Sequence, residues 1–403
     1  MKDMFLYADH YEKNYGDGTS LLEATEAREE NTKRLEFSSN DITIWAGTVS
    51  DTGDTINLMR LGQNPAGEKV ILRKNTKAQH TTDADIHTAT RVAGTPGGSL
   101  LFLGYQTKAR MEIIPISADA KLSIMNRGKF SISGELDDFD FDIDPIALAK
   151  VIEDSIKKYT KSIQCCVVYG KIIGIMSKRY CPIPQNELVN TVTRILEKRY
   201  PSAEIIGGVI SNRVSSVDYN LHEVVVENGV QVEIMTSLLN SDNGHSAVRL
   251  IPQCRPCNKH IVYPFYDDDW HSDHIAVTME DVELGADTMF LKLRNNVALL
   301  TAAQNKVLNY PMQYAERAIE RLNTLAKSKS GCQINENMKK DVLSSIDTFV
   351  TQGIITQFTV MDVADTIIDT IPTNVLQSTK DNFMKTIMRI IHIPHDEFDK
   401  IIP

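Results

Sequence analysis

The chain has 403 residues, 42% hydrophobic and 24% charged, enough for two or three globular domains. Its net charge of −10 argues against a protein that coats duplex DNA by charge alone, because neutralising phosphates needs clustered lysine and arginine, and leaves room only for a local basic groove. Six cysteines are too few for a disulfide scaffold, no run approaches the roughly 18 to 20 apolar residues of a membrane span, and Met1–His10 has no apolar signal region. An intracellular, soluble protein with no membrane partner is expected.

Residues 1–36 read as a polar, helix-prone lead-in, with good helix formers from Leu21 to Glu30. Ile42–Trp45, Ile56–Met59 and Lys69–Leu72 are short β-type runs split by Gly, Asp and Asn. Gly94–Ser99 is a loop by composition. From Glu135 to Asp144, six of ten residues are carboxylates. Their alternation with Phe and Ile suits an edge strand or loop with one buried face. Calcium is the sharper reading, but the glycine and terminal glutamate of an EF-hand are missing.

Pro145 opens a predicted helix over Ile146–Tyr159. Cys165–Tyr169, a Gly170-Lys171 turn and Ile172–Met176 read as a hairpin, and Leu188–Tyr200 as an amphipathic helix. Ile205–Ile210, Glu223–Val226 and Val230–Met235 are further strands, the last two joined by Asn228-Gly229. From Met279 the pattern is helical over 279–328, 336–350, 360–370 and 375–391. The expected fold is α+β: an N-terminal α+β region (1–150), a central, mainly antiparallel sheet core with packed helices (151–280) and a helical C-terminal region (281–403). The 188–200 helix should pack on a sheet built within 160–280.

Two polar segments stand out. Asn240 to Arg249 packs turn formers, a histidine and an arginine between two strand-like runs. A hairpin explains Asn243-Gly244 but not Asn240, Ser241, His245 and Arg249, so Asn240, Ser241, Asp242, Gly244 and His245 are read as a site loop. Upstream, Ser177–Pro184 follows a hairpin and precedes a helix. Lys178 and Arg179 suit phosphate, and Tyr180 suits base stacking. Alternatively, Tyr180 caps the core while the cations face water. Both segments end strands, so they are expected to meet in one place; two unrelated surface turns are the alternative.

These residues carry a resemblance. Ile163–Leu196 resembles the core of a large family of phage- and plasmid-encoded proteins of unknown function, described as phage/plasmid-like proteins. Ser177, Arg179 and Tyr180 match its Ser-x-Arg-Tyr segment. Asn240-Ser241-Asp242-Asn243-Gly244 matches its Asn-Ser-Glu-x-Gly segment, with Asp242 where the family has glutamate. A third landmark, Arg-x-x-Cys-x-Asn followed by histidine, is altered here to Cys254-Arg255-Pro256-Cys257-Asn258 with His271 or His274. The resemblance spans residues 155–330, with an echo at Phe358–Ala364. It implies a mobile-element context in the cytoplasm of a bacterial host and no established activity.

Metal chemistry has two candidate sets. Cys254-x2-Cys257 and His271-x2-His274, separated by 13 residues, have the ligand types of a structural zinc site. The short His spacing and Pro256 count against it. Asp267, Asp268 and Asp269 beside His271, Asp273 and His274 resemble the ligand density of a two-metal nuclease. Three consecutive residues cannot all face one site, however, and a solvated loop is the competing reading. No phosphate loop, dinucleotide fingerprint or nucleophile elbow occurs, and no cofactor beyond this zinc is expected.

The leading functional reading is a phage- or plasmid-encoded, non-enzymatic binding protein for single-stranded nucleic acid in recombination or replication. It would use Lys178, Arg179, Tyr180 and Arg249, with Arg194, Lys198, Arg199, Arg255 and Lys259 nearby. The alternative is a homo-oligomeric structural, virion or counter-defence protein. A metal-dependent nuclease using Asp267, Asp269, His271 and His274 is the third.

Overall fold

The computed structural model describes residues 2–6, 11–49, 55–59, 69–74, 100–108, 111–122, 145–227, 230–257, 262–265, 269–274, 278–305, 308, 311–328, 336–350, 356, 359–360 and 363. They form an α+β fold around two sheets. The first sheet contains β1 (Lys2–Leu6), β3 (Thr32–Ser38), β4 (Ile42–Val49), β5 (Thr55–Met59), β6 (Lys69–Lys74), β7 (Leu100–Gln106), β8 (Met111–Leu122), β9 (Ser162–Val168) and β10 (Lys171–Ser177). Its strand order is β1-β6-β5-β4-β7-β8-β10-β9-β3, and the β1–β6 and β8–β10 pairs are parallel. The second sheet is antiparallel throughout: β15 (Tyr263–Pro264), β14 (Val248–Pro256), β13 (Val230–Asn240), β12 (Ser215–Glu227), β11 (Glu204–Ser211) and β2 (Glu12–Tyr15), with β16 (Trp270–Ser272) also pairing β14.

The predicted hairpin forms, but its turn is Tyr169-Gly170 rather than Gly170-Lys171, because Val168 pairs with Lys171. Both turn residues have positive φ, 46° and 83°, the requirement of a two-residue hairpin whose twist matches its strands. The hairpin also corrects the expectation of one sheet over 160–280. β9 and β10 belong to the first sheet, and β11 to β16 to the second. The sequence carries the reason. Cys165, Val167 and Ile175 enter one core, while Cys166, Val168, Ile173 and Met176 enter the other. A strand buried on both faces reads as a continuous apolar run and lies between layers.

The first sheet curls. In its strand order three strands separate β7 from β3, which would hold them roughly 19 Å apart in a flat sheet at about 4.8 Å per strand. Yet the Phe37 and Tyr105 rings are 4.7 Å apart. Helix α2 (Pro145–Tyr159) fills the curl with Leu148, Ala149, Ile152 and Ile156. Beside them, the buried Glu153 accepts the Ile44 N–H at 2.9 Å and pairs with Lys157 at 2.6 Å. β5 reaches along β4 only from Val49 to Ala46, so this carboxylate serves a backbone donor that β5 does not.

The N-terminal region is not a separate lead-in. β2 pairs with β11, β3 pairs with β9, and between them α1 (Gly18–Glu30) lies against β11. The predicted boundary at residue 150 falls inside α2. Helix α3 (Gln185–Arg199) and helix α4 (Met279–Asn305) join α1 over the second sheet. Leu188, Val192 and Leu196 share that core with Val217, Leu238 and Leu250. The predicted 279–328 helix splits into α4 and α5 (Pro311–Ser328), with Pro311 at the first helical position, where its missing N–H costs nothing. α6 (Glu336–Val350) follows. The acidic stretch 135–144, the 94–99 loop and most of the helices expected over 360–370 and 375–391 lie outside the described residues.

Candidate functional site

The β13–β14 loop, Ser241–Ala247, is where the two sheets are tied together. Its Gly244 takes a φ of 78°, the left-handed conformation that the Asn-Gly pair favours. The loop rests on β10 at Gly174, where an added Cβ would stand 2.6 Å from the Asn243 Cβ. Only a glycine lets the two backbones approach so closely.

Each polar side chain of the loop has a separate job. Asn240 donates to Gln185 Oε1 at 2.8 Å and to the Ile183 carbonyl at 3.3 Å, holding the start of α3. Ser241 Oγ donates to Asn243 Oδ1 at 2.6 Å and accepts the His245 N–H at 3.0 Å. Asn243 donates to the Asn212 carbonyl at 2.7 Å, reaching the β11–β12 turn. Asp242 lies 3.8 Å from the Arg28 guanidinium and 3.6 Å from that of Arg34, which also grips Glu29. Burial opposes the charge of Arg34, but Glu29 and Asp242 outweigh it and hold its pKa above the usual range.

Tyr180 joins this junction. Its hydroxyl donates to the Ser241 carbonyl at 2.5 Å, and its ring stacks on His274, 4.7 Å between centroids and 26° between planes. Burial, reinforced by Asp242, pushes the phenol well above its ordinary range. His274 is fastened from both sides of its backbone and ring. Its carbonyl accepts the Cys181 N–H at 2.6 Å, and Nδ1 lies 3.2 Å from the Cys181 carbonyl, which makes Nδ1 the protonated nitrogen. Burial lowers the His274 pKa, favouring the neutral ring over the charged one. Its Nε2, Asn240 Oδ1, Gln185 Nε2 and Asp242 Oδ1 are buried without a hydrogen bond, so this junction is costly to close.

The two predicted landmarks therefore meet, through Tyr180 and Ser241. Their residues do not form an open groove. Tyr180 is turned inward, against His274, and offers no free face comparable to a stacking platform. Lys178 pairs with Glu36 at 2.8 Å, and Arg249 pairs with Asp269. Arg194 pairs with Glu283, Arg199 with Asp287 at 3.4 Å, and Arg255 with Glu233. Arg179 and Lys198 are exposed and have no ion pair among the described residues; Lys259 lies outside them.

The four predicted zinc ligands do not gather. Cys254 is fully buried on β14, with its thiol pushed up by burial, and Cys257 is exposed three residues on. Cys254 lies within β14, whereas Cys257 lies in the turn just past the strand's end. His271 pairs with Arg249, five residues from Cys254, or roughly 17 Å along a strand at about 3.4 Å per residue. His274 is packed on Tyr180 instead. Among the described residues no three His, Cys, Asp or Glu side chains converge on a metal position. Asp267 and Asp268 lie outside those residues, and the Asp269 carboxylate is taken by Arg249 and lies 3.5 Å from His271 Nδ1.

Arg28, Arg34, Gln185 and Asn212 are site residues that the sequence did not disclose. Gly174 left a signal, being a lone glycine inside an apolar strand. Among the described residues no helix is long and apolar enough to cross a membrane. No protein-family model matches this chain, and comparison with curated proteins and with solved structures finds no match either, so the phage/plasmid-like resemblance rests on the sequence landmarks alone.

Proposed function

We propose that this is a non-enzymatic protein that works through protein contacts, in the mobile-element setting that its two landmark segments suggest. One observation carries the reading. Five of the eight cations named for tracking a nucleic-acid backbone are paired with the chain's own carboxylates: Lys178 with Glu36, Arg194 with Glu283, Arg199 with Asp287, Arg249 with Asp269 and Arg255 with Glu233. Phosphate binding draws its free energy from free cations that displace condensed counterions, and a paired cation must first lose its partner. The landmark residues serve the fold: Tyr180, Asn240, Ser241 and Asp242 bind one another or the segments around them.

Of the cations named for the competing proposal, single-stranded nucleic-acid binding, only Arg179 and Lys198 are without an ion pair among the described residues. Fluorescence anisotropy with a labelled single-stranded oligonucleotide across a salt series separates the two. We expect no salt-dependent binding, and no change with Arg179→Ala. Binding that weakens steeply with salt, with a slope reduced by about one counterion in Arg179→Ala, would refute the protein-contact reading.

A further inference from the structure

We propose that the junction guards a self-modification site: Asn243-Gly244 cyclises and deamidates in a chain whose β13–β14 loop is open, and the closed loop suppresses that reaction. Asparagine followed by glycine is especially prone to this chemistry, because no Cβ shields the next backbone nitrogen. The Gly244 nitrogen gives up its proton to a base and attacks Asn243 Cγ. The new N–C bond closes a five-membered succinimide. The Cγ–Nδ2 bond breaks, and the nitrogen leaves with a returned proton as ammonia. Water, the one co-reactant, then opens the ring at either carbonyl. The product is aspartate, or isoaspartate in which the main chain runs through the former side chain.

In the closed loop each reacting group is already engaged. The Gly244 N–H donates to the Tyr180 hydroxyl. Burial and Asp242 keep that phenol protonated, and its own proton goes to the Ser241 carbonyl at 2.5 Å, so it does not serve as the base. The Asp242 carboxylate faces Arg28 and Arg34 instead. The leaving nitrogen, Asn243 Nδ2, donates to the Asn212 carbonyl at 2.7 Å. Asn243 Oδ1 accepts Ser241 Oγ at 2.6 Å and the His245 N–H at 3.3 Å. Two donors on a carbonyl oxygen favour attack at its carbon, so the protection does not come from them. It comes from the nitrogen side, where the attacking N–H is held by a neutral acceptor, and from the full burial of Asn243, which keeps water from the amide.

The product does not fit the closed loop. Aspartate at 243 sets an acceptor against the Asn212 carbonyl, where the amide now donates, and adds a second carboxylate to a buried place beside Asp242. Isoaspartate adds one carbon to the main chain where the loop rests on Gly174, and there even a Cβ on the glycine would stand 2.6 Å from the Asn243 Cβ. Opening for long enough is therefore a one-way step: the chain loses the tie between its two sheets and does not regain it. This goes beyond the protein-contact reading and does not depend on it.

Peptide mass spectrometry of the full chain, incubated in mildly alkaline buffer, tests this by following the replacement of NH2 by OH at Asn243. The native wild type should react at least about a hundredfold more slowly than the same chain in urea, since the buried loop must first open. Tyr180→Phe keeps a ring against His274 and removes the acceptor of the Gly244 N–H. It should raise the native rate about tenfold, as expected when a local opening loses one hydrogen bond, and leave the rate in urea unchanged. Asn243→Asp, which mimics one product, should lower the midpoint of urea unfolding. A native wild type that deamidates at the urea rate, or a folded Tyr180→Phe that deamidates at the native wild-type rate, overturns the guard. Should Tyr180→Phe fail to fold, the comparison of native and unfolded wild type decides alone. An Asn243→Asp midpoint equal to the wild type's overturns the one-way step.

Discussion

Replacing Asp242 with alanine should be among the most damaging single changes in the loop. The carboxylate is nearly buried, at 9% exposure, and faces Arg28 at 5% and Arg34 at 20%. Arg34 retains Glu29. Arg28 loses a carboxylate while remaining inside the protein. Removing one partner of a buried pair costs roughly 3–5 kcal/mol, because the other charge stays desolvated. The separations of 3.8 and 3.6 Å are longer than a direct charge-assisted bond, which places the expected loss at the lower end, about 3 kcal/mol. Asp242→Glu adds one methylene, shortens that reach and should change stability by less than about 1.5 kcal/mol, the range of modest core reshaping. Urea titration followed by circular dichroism gives the comparison, read as midpoint shifts at constant slope. If Asp242→Ala loses less than about 1 kcal/mol, the carboxylate is not what compensates the buried guanidinium, and the reading of the loop as an electrostatic tie is wrong.

Two other outcomes follow from the same geometry. His274 is held below the ordinary histidine value of 6.5 by burial, so between its folded pKa and 6.5 the unfolded chain binds more protons than the folded one. Stability is then complete above 6.5 and declines as pH falls below it; melting curves of His274→Phe, which keeps a ring against Tyr180, should lose this part of the acid dependence, and an unchanged slope would contradict it. On α4, a Cβ at Gly285 would stand 2.0 to 2.3 Å from the Trp270 indole, so Gly285→Ala should push Trp270 off the helix. The tryptophan emission should shift to the red, best read in a Trp45→Phe background, and unaltered emission would mean that the helix yields instead.

The parts of the fold legible in the sequence are those with a strong period or an unambiguous turn. α2, α3 and the β9–β10 hairpin were predictable from apolar spacing alone. The sheet to which the hairpin belongs was not, because an apolar run records that both faces are buried and not by what. β2 and β3 hide in polar sequence, Glu12–Tyr15 and Thr32–Ser38, since each is an edge strand in its sheet. In the site, turn chemistry marked the loop, yet the partners of Asp242 lie over two hundred residues upstream, where a sequence offers no pointer. The Cys-x2-Cys spacing misled for a different reason. It suits a turn that brings two thiols together, and here Cys254 is buried within β14 while Cys257 is exposed just past the strand's end.

The stitching of β2, α1 and β3 into both sheets bears on the order of assembly. β3 waits for β9, whose last residue is Val168, and β2 waits for β11, which ends at Ser211. Emerging from the ribosome, β2 and β3 have no edge to pair with until the first sheet is nearly complete, whereas β1 finds β6 by residue 74. Loop closure over such separations is slow, and a chain with many distant contacts folds late and keeps sticky edges open meanwhile. Assembly of this protein therefore waits on β2 and β3, and a helper that shields them during translation should raise its soluble yield more than one acting after release.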